Sequence, residues 1–255
     1  MTHWTEATFV ERADVFADSL EGRVESAPDE VDDIRSLVAS HDVEPETVLD
    51  VACGIGRHAI EFAASGLSVH GVDLSPTYVE SARERAAEAG VEESTTFDVG
   101  DMRELPPGNR RYDLVTNCWT SFGFFDDATN EAVAAGFFDC VNDGGAVVLE
   151  LANKEGILSG FCESSVTESD GTLYTERREY SPETGRISSD VTVFRETDSG
   201  YDCAGEISWD LRLYSPAELC RILERAGFGS VHCYGGLDGR DLDRESTRMA
   251  IVATP

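Results

Sequence analysis

Val48-Leu49-Asp50-Val51-Ala52-Cys53-Gly54-Ile55-Gly56-Arg57-His58 is the stretch from which the rest of the chain is read. A short apolar run breaks into a glycine-containing turn and then a helix, the arrangement with which α/β sheets bind a nucleotide-like cofactor at their carboxyl edge. With no side chain at Gly54 and Gly56 the backbone can turn sharply and a ligand can approach the main chain, while the opening amides of the helix are free to donate. Taken alone, Gly54-Ile55-Gly56-Arg57-His58-Ala59 also fits the Gly-x-Gly-x-x-Gly/Ala pattern of dinucleotide sites, so two cofactor classes compete here.

Three acids bear on the choice, and two of them, Asp50 and Asp101, separate the classes. Asp73 ends the second apolar run, Val69-His70-Gly71-Val72-Asp73, and a carboxylate there accepts from a ribose diol, which NAD and S-adenosylmethionine share. Asp50 stands ahead of the glycines, where it would repel a pyrophosphate but favour the cationic sulfonium and amino group of S-adenosylmethionine. Asp101, in Val99-Gly100-Asp101-Met102, can accept from an adenine amino group.

Leu49-Asp50-Val51-Ala52-Cys53-Gly54-Ile55-Gly56-Arg57, Val72-Asp73-Leu74-Ser75 and Gly100-Asp101-Met102 together resemble, in order and spacing over roughly residues 45–155, the motifs of class I S-adenosylmethionine-dependent methyltransferases. The resemblance implies S-adenosyl-L-methionine as cofactor and S-adenosyl-L-homocysteine as product. It places the methionine part over Asp50, Cys53, Gly54, Gly56 and Arg57, the ribose on Asp73 beside Leu74, the adenine near Asp101 and Met102, and Cys118 in packing contact at the fourth strand's end. Tyr112 to Gly123 resembles the family's fourth strand and methyl-transfer loop without the Asn/Asp-Pro-Pro-Tyr signature of enzymes acting on nucleobases or protein glutamine. Ser121-Phe122-Gly123-Phe124-Phe125, Leu213-Tyr214-Ser215-Pro216 and Ala226-Gly227-Phe228 resemble small-molecule members, implying a small acceptor such as an amine; glycine, methylated to an osmolyte, is one substrate guess. The alternatives are an NAD-dependent oxidoreductase and a non-catalytic S-adenosylmethionine-binding protein.

Fifty Asp and Glu face twenty Lys and Arg among 255 residues, a formal net charge of −30, and Lys154 is the only lysine. Such self-repulsion is screened in molar salt, where the Debye length falls to about 3 Å. The spread of acids along the whole chain therefore reads as a halophile-like adaptation, and it argues against nucleic acid as a partner. Seven cysteines without Cys-x-x-Cys or metal spacing predict no metal site and reduced thiols in a cytoplasm. No secretory leader or apolar run of about 20 residues is seen, so no membrane partner is expected. The assembly is expected to be a monomer or a homodimer.

From 47 to 151 strand-like and helical stretches alternate, which predicts right-handed crossovers and a parallel sheet covered on both faces. The resemblance then implies an α/β, Rossmann-like, doubly wound seven-stranded sheet whose last strand is antiparallel. Residues 163–213 alternate at Ile187, Ser189, Val191 and Val193 around a turn at 181–185, predicting an inserted antiparallel β-meander. The chain reads as one domain: a cap of two helical stretches over 1–44, a core over 45–162, the insertion over 163–213, and a helix with the last two strands over 214–255.

Methyl transfer from a sulfonium needs alignment rather than a protein nucleophile, so catalytic residues leave little trace in sequence. A base for an acceptor proton has three candidates: His58, Tyr174 and Tyr214. Tyr174, Tyr180, Trp209 and Tyr214 are also candidates for an aromatic acceptor wall, against the plainer role of sheet residues.

Overall fold

The computed structural model describes residues 3–105, 111–169 and 171–255. Five strands, β1 (Thr47–Val51), β2 (Ser68–Asp73), β3 (Thr95–Val99), β4 (Tyr112–Asn117) and β5 (Val141–Ala152), pair in parallel in the order β3-β2-β1-β4-β5. β11 (Arg248–Thr254) adds antiparallel to β5, and β10 (Ser230–Tyr234) adds antiparallel to β11. β10 therefore runs with the parallel set, and within the seven-stranded sheet the last strand alone is reversed.

Alternation along the strands explains the two covered faces. Val48, Leu114, Val148 and Val252 point into a layer made by α3 (Ala27–Ala39), α4 (Arg57–Ala64) and α5 (Pro76–Ala89). Leu49, Val115, Leu149 and Ile251 point the other way, onto α6 (Asp127–Cys140) and α8 (Pro216–Ala226). Strands buried on both sides carry no polar stripe, which is why they read as continuous apolar runs. The helix starts are encoded locally. Ser75 precedes Pro76 and accepts from the Tyr78 amide, and Ser215 and Glu218 close a capping box ahead of α8.

The N-terminal region departs from the expected two helices. It forms three, because residues 10–12 break the first stretch into α1 (Trp4–Phe9) and α2 (Ala13–Glu21). The break lets α1 and α2 face different partners: Trp4 and Phe9 pack on Phe124, while Val15 packs on Val191, Val193 and Ile207 of the insertion. α3 is not part of the cap; Val31, Ile34 and Leu37 belong to the helical layer over the sheet.

The insertion is a four-stranded antiparallel sheet of β6 (Ser164–Ser169), β7 (Thr172–Ser181), β8 (Arg186–Thr197) and β9 (Gly200–Arg212). Ile187, Ser189, Val191 and Val193 are all buried, as their alternation predicts. A short helix, α7 (Lys154–Ser159), follows β5 without having been anticipated. β2 and β4 leave β1 in opposite directions, so the crevice outside the carboxyl ends lies at this switch point, between the sheet below and α1, α2 and β9 above.

Candidate active site

A cavity of about 330 Å³ occupies that crevice. One end is made by strand ends and their loops. Asp50, Cys53, Gly54, Arg57, His58, Asp73, Leu74, Asp101, Met102 and Cys118 all line it. Gly56 does not: its φ is +78°, and a Cβ there would meet Ala82 at 3.0 Å and the Phe97 ring at 3.2 Å, so it serves the turn and the packing of α4.

Asp73 is buried, with Oδ2 accepting from the Gly54 amide at 2.8 Å and Oδ1 from the Ser75 amide at 2.9 Å. Burial pushes its carboxyl up to about 6, against the pull of those two amides. Asp50 is 2% exposed; its Oδ1 accepts from the Thr116 hydroxyl at 2.9 Å, while Oδ2 has no partner. Burial raises this carboxyl too, and His58, Thr116 and Arg57 only partly offset it. A buried carboxylate oxygen with no donor, on a residue that lines the cavity, carries an unmet demand for one, and a cationic or amino ligand group is of the kind that meets it.

Asp101 starts a single 3-10 turn over Met102–Glu104 and accepts from the Arg103 amide at 2.9 Å. Burial would raise its carboxyl, but the hydrogen bonds and charge of Arg103 hold it below its ordinary value. Burial drives the Cys53 and Cys118 thiols far above theirs, so both act as apolar wall.

The other end of the cavity is aromatic. Trp4, Phe9 and Phe16 come from the cap, Trp119, Phe124 and Phe125 from the loop after β4, and Trp209 from β9. Of the four aromatics proposed from sequence as a wall, Trp209 alone lines it. Tyr174 accepts from Ser19 Oγ at 3.3 Å and packs on the Val15 cluster. Tyr180 lies beside Phe161. Tyr214 is buried in the α6–α8 core, hydrogen-bonded to Asn130 at 3.0 Å and to Asp127 at 3.3 Å. Neither Tyr174 nor Tyr214 is brought to the site, and burial raises the Tyr214 phenol further from use as a base.

His58 reaches the cavity but is engaged behind it. Its Nε2 lies 2.7 Å from Glu30 Oε2, and Arg57 Nη1 donates to the same oxygen at 2.6 Å. Burial would raise the Glu30 carboxyl, yet His58, Arg57 and Ser26 bring it down to about 2. Glu30 went unnoticed in the sequence because it belongs to an ordinary acidic helix start. Arg248 was missed too, and Trp119, at the end of the fourth strand, was read only as packing there. At the exit of β4, Trp119 and Thr120 are consecutive non-glycine residues at φ 61° and 68°, each a strain of about 1 to 2 kcal/mol.

A family described as a methyltransferase domain matches residues 48–145. Over 91% of this chain and 96% of the relative, the sequence is 30% identical to dTDP-3-amino-3,4,6-trideoxy-α-D-glucopyranose N,N-dimethyltransferase of Streptomyces venezuelae. The chain belongs to the S-adenosylmethionine-dependent methyltransferases. Among solved structures it is similar to Streptomyces venezuelae DesVI, with a TM-score of 0.73 and 26% identity over 96% of this chain and 99% of that one. An S-adenosylmethionine-dependent methyltransferase of Clostridium acetobutylicum shares the fold at a TM-score of 0.81, with 15% identity over 96% and 97% of the two chains. S-adenosylmethionine is thus the methyltransferase's cofactor, its acceptor is a small molecule, and the dinucleotide alternative has no support. No helix among the described residues is long and apolar enough to cross a membrane.

The Glu30 cluster yields a pH-dependent expectation. A carboxyl lowered on folding adds stability above its unfolded value near 4.3, and that contribution is lost as pH falls toward 2. Glu30→Gln should cost about 2 kcal/mol of unfolding free energy at neutral pH, because Arg57 and His58 lose a shared partner. Urea denaturation in molar potassium chloride checks this; the gap between the proteins should narrow as pH falls below about 4.

Proposed function

We propose that this methyltransferase is an N-methyltransferase whose acceptor is the amino group of a sugar or a similarly compact amine. The observation that carries the reading is the cavity's division into a carboxylate-lined end and an aromatic end. Near-full-length similarity to an amino-sugar N,N-dimethyltransferase supports a sugar rather than glycine.

When bound, S-adenosylmethionine supplies a methyl group already activated on a sulfonium. The chain's own residues bind, orient and exclude water. In this reading Asp73 accepts from the ribose hydroxyls and Asp101 from the adenine amino group, and Asp50 Oδ2 meets the positive methionine end. Trp4, Phe9, Trp119, Phe124 and Trp209 hold the acceptor's apolar face and keep water from the reacting nitrogen. Arg248 and Tyr78 line the cavity beside these aromatics, but a guanidinium cannot take a proton, and the Tyr78 hydroxyl donates to the Ala13 carbonyl at 2.9 Å while burial pushes the phenol up. The amine therefore enters neutral and its proton leaves to solvent; no side chain is assigned as base. We also read the chain as one domain working in a salt-rich cytoplasm, on the strength of its −30 charge.

Incubation with S-adenosylmethionine and dTDP-3-amino-3,4,6-trideoxy-α-D-glucopyranose, or the free amino sugar, should give singly and doubly N-methylated products by mass spectrometry. Release of matching S-adenosylhomocysteine without any methylated sugar would contradict the acceptor. Ribose hydroxyls donate to the ionised form of Asp73, so S-adenosylhomocysteine should bind more tightly as pH rises from about 5 to about 7, with a bend near 6. Asp73→Ala should remove the bend and cost about 1 to 3 kcal/mol of binding in calorimetry. Finally, the thermal unfolding midpoint should climb as potassium chloride rises from roughly 0.1 M to roughly 2 M; a flat response would contradict the salt adaptation.

A further inference from the structure

The left-handed turn at Trp119–Thr120 is held from outside itself. Consecutive bulky and β-branched residues with positive φ persist only where their surroundings over-determine them. Here the surroundings are the two next strands. Glu150 of β5 accepts the Trp119 N–H on Oε2 at 2.9 Å, and its main-chain carbonyl accepts the Thr120 N–H at 3.0 Å. Thr120 Oγ1 accepts from the Ala152 amide at 3.1 Å and from Arg248 Nη1 at 2.7 Å. Arg248 of β11 uses Nε and Nη2 to fork the same Glu150 carboxylate. The indole is braced on its own side, with the Arg23 guanidinium carbon 4.4 Å from the ring centre and the Phe16 ring centre 5.6 Å away.

We propose that Glu150 and Arg248 are positioning residues for the acceptor: they lock the Trp119–Thr120 turn in its left-handed conformation and thereby fix the indole that walls the aromatic end of the cavity. This rests on the N-methyltransferase reading for what occupies that end. The lock spends all the polar atoms it uses. A bidentate guanidinium–carboxylate pair has a set geometry, the third guanidinium nitrogen is committed to Thr120, and the side chain of Glu150 is only 13% exposed. Without the carboxylate the Trp119 amide loses its acceptor, Arg248 loses its counter-charge, and the strained φ values are free to relax. The relaxation swings the indole, not the cofactor's carboxylates, which stand on the β1, β2 and β3 side of the crevice. The expected signature is therefore a split between acceptor and cofactor.

Two readouts on the full chain test this. Hydrogen exchange followed by mass spectrometry on peptides covering 117–123 should be at least about 10-fold faster in Glu150→Ala than in the parent. Glu150→Gln, which keeps an oxygen for the Trp119 amide, should restore most of the protection. Adding Thr120→Gly to Glu150→Ala relieves the strain at that position and should recover part of the lost acceptor binding. With the amino sugar as acceptor, Glu150→Ala and Arg248→Lys should raise the acceptor KM about 10-fold while the Kd for S-adenosylhomocysteine stays within about 2-fold. Unchanged exchange in Glu150→Ala overturns the lock. Parallel weakening of acceptor and S-adenosylhomocysteine overturns the positioning role in favour of general support. If the parent itself turns over no amino sugar, the acceptor reading fails while hydrogen exchange still decides the lock.

Discussion

The Asp73 carboxylate, held by the Gly54 and Ser75 amides, is the interaction on which the rest of the cleft depends. It joins the end of β2 to the glycine turn after β1, two edges of the crevice outside the strand ends. Burying this carboxylate is unfavourable, as its rise to about 6 shows, and two backbone donors are what keep it in place. They leave lone pairs for a ligand's hydroxyls, since a carboxylate accepts about four hydrogen bonds. A site with such a group is built before the ligand arrives.

The same economy governs charge elsewhere in the cavity. In a chain with a −30 balance, the guanidinium groups on the wall are each closed by a partly buried glutamate: Arg57 by Glu30 and Arg248 by Glu150. Neither is left to attract solvent anions, and both act as struts. Asp50 is the exception, carrying one buried oxygen without a donor. That asymmetry, closed cations and one open anion, suits a positively charged cofactor end far better than a pyrophosphate. Beyond it the wall turns aromatic, a surface that holds a ring by its apolar face.

The parallel core was readable because its signals are local. Apolar runs, Pro76 after Ser75, and the Ser215–Glu218 box each specify their element from a few neighbouring residues. The meeting of Asp50, Asp73 and Asp101 at one cavity was readable for a related reason: in a sheet of this kind the strand ends form one crevice, so residues at regular places in the sequence come together there. The aromatic end obeys no such rule. Trp4, Phe16, Trp119 and Trp209 meet only because α1, α2 and β9 fold over the sheet, and aromatic residues in helices and strands look like core. Tyr174 and Tyr214 were attractive by type and position, yet the register of β7 and the packing of α8 direct them elsewhere. The three-helix N-terminus was hidden because its break at residues 10–12 carries neither glycine nor proline.

The most direct measurement is a crystal structure of the protein with S-adenosylhomocysteine, grown in molar potassium chloride. The account predicts both ribose hydroxyls on Asp73, the amino group within hydrogen-bond distance of Asp50 Oδ2, and a Gly54 turn that has not moved. A ribose bound away from Asp73, or an Asp50 oxygen still without a partner beside the bound ligand, would contradict it.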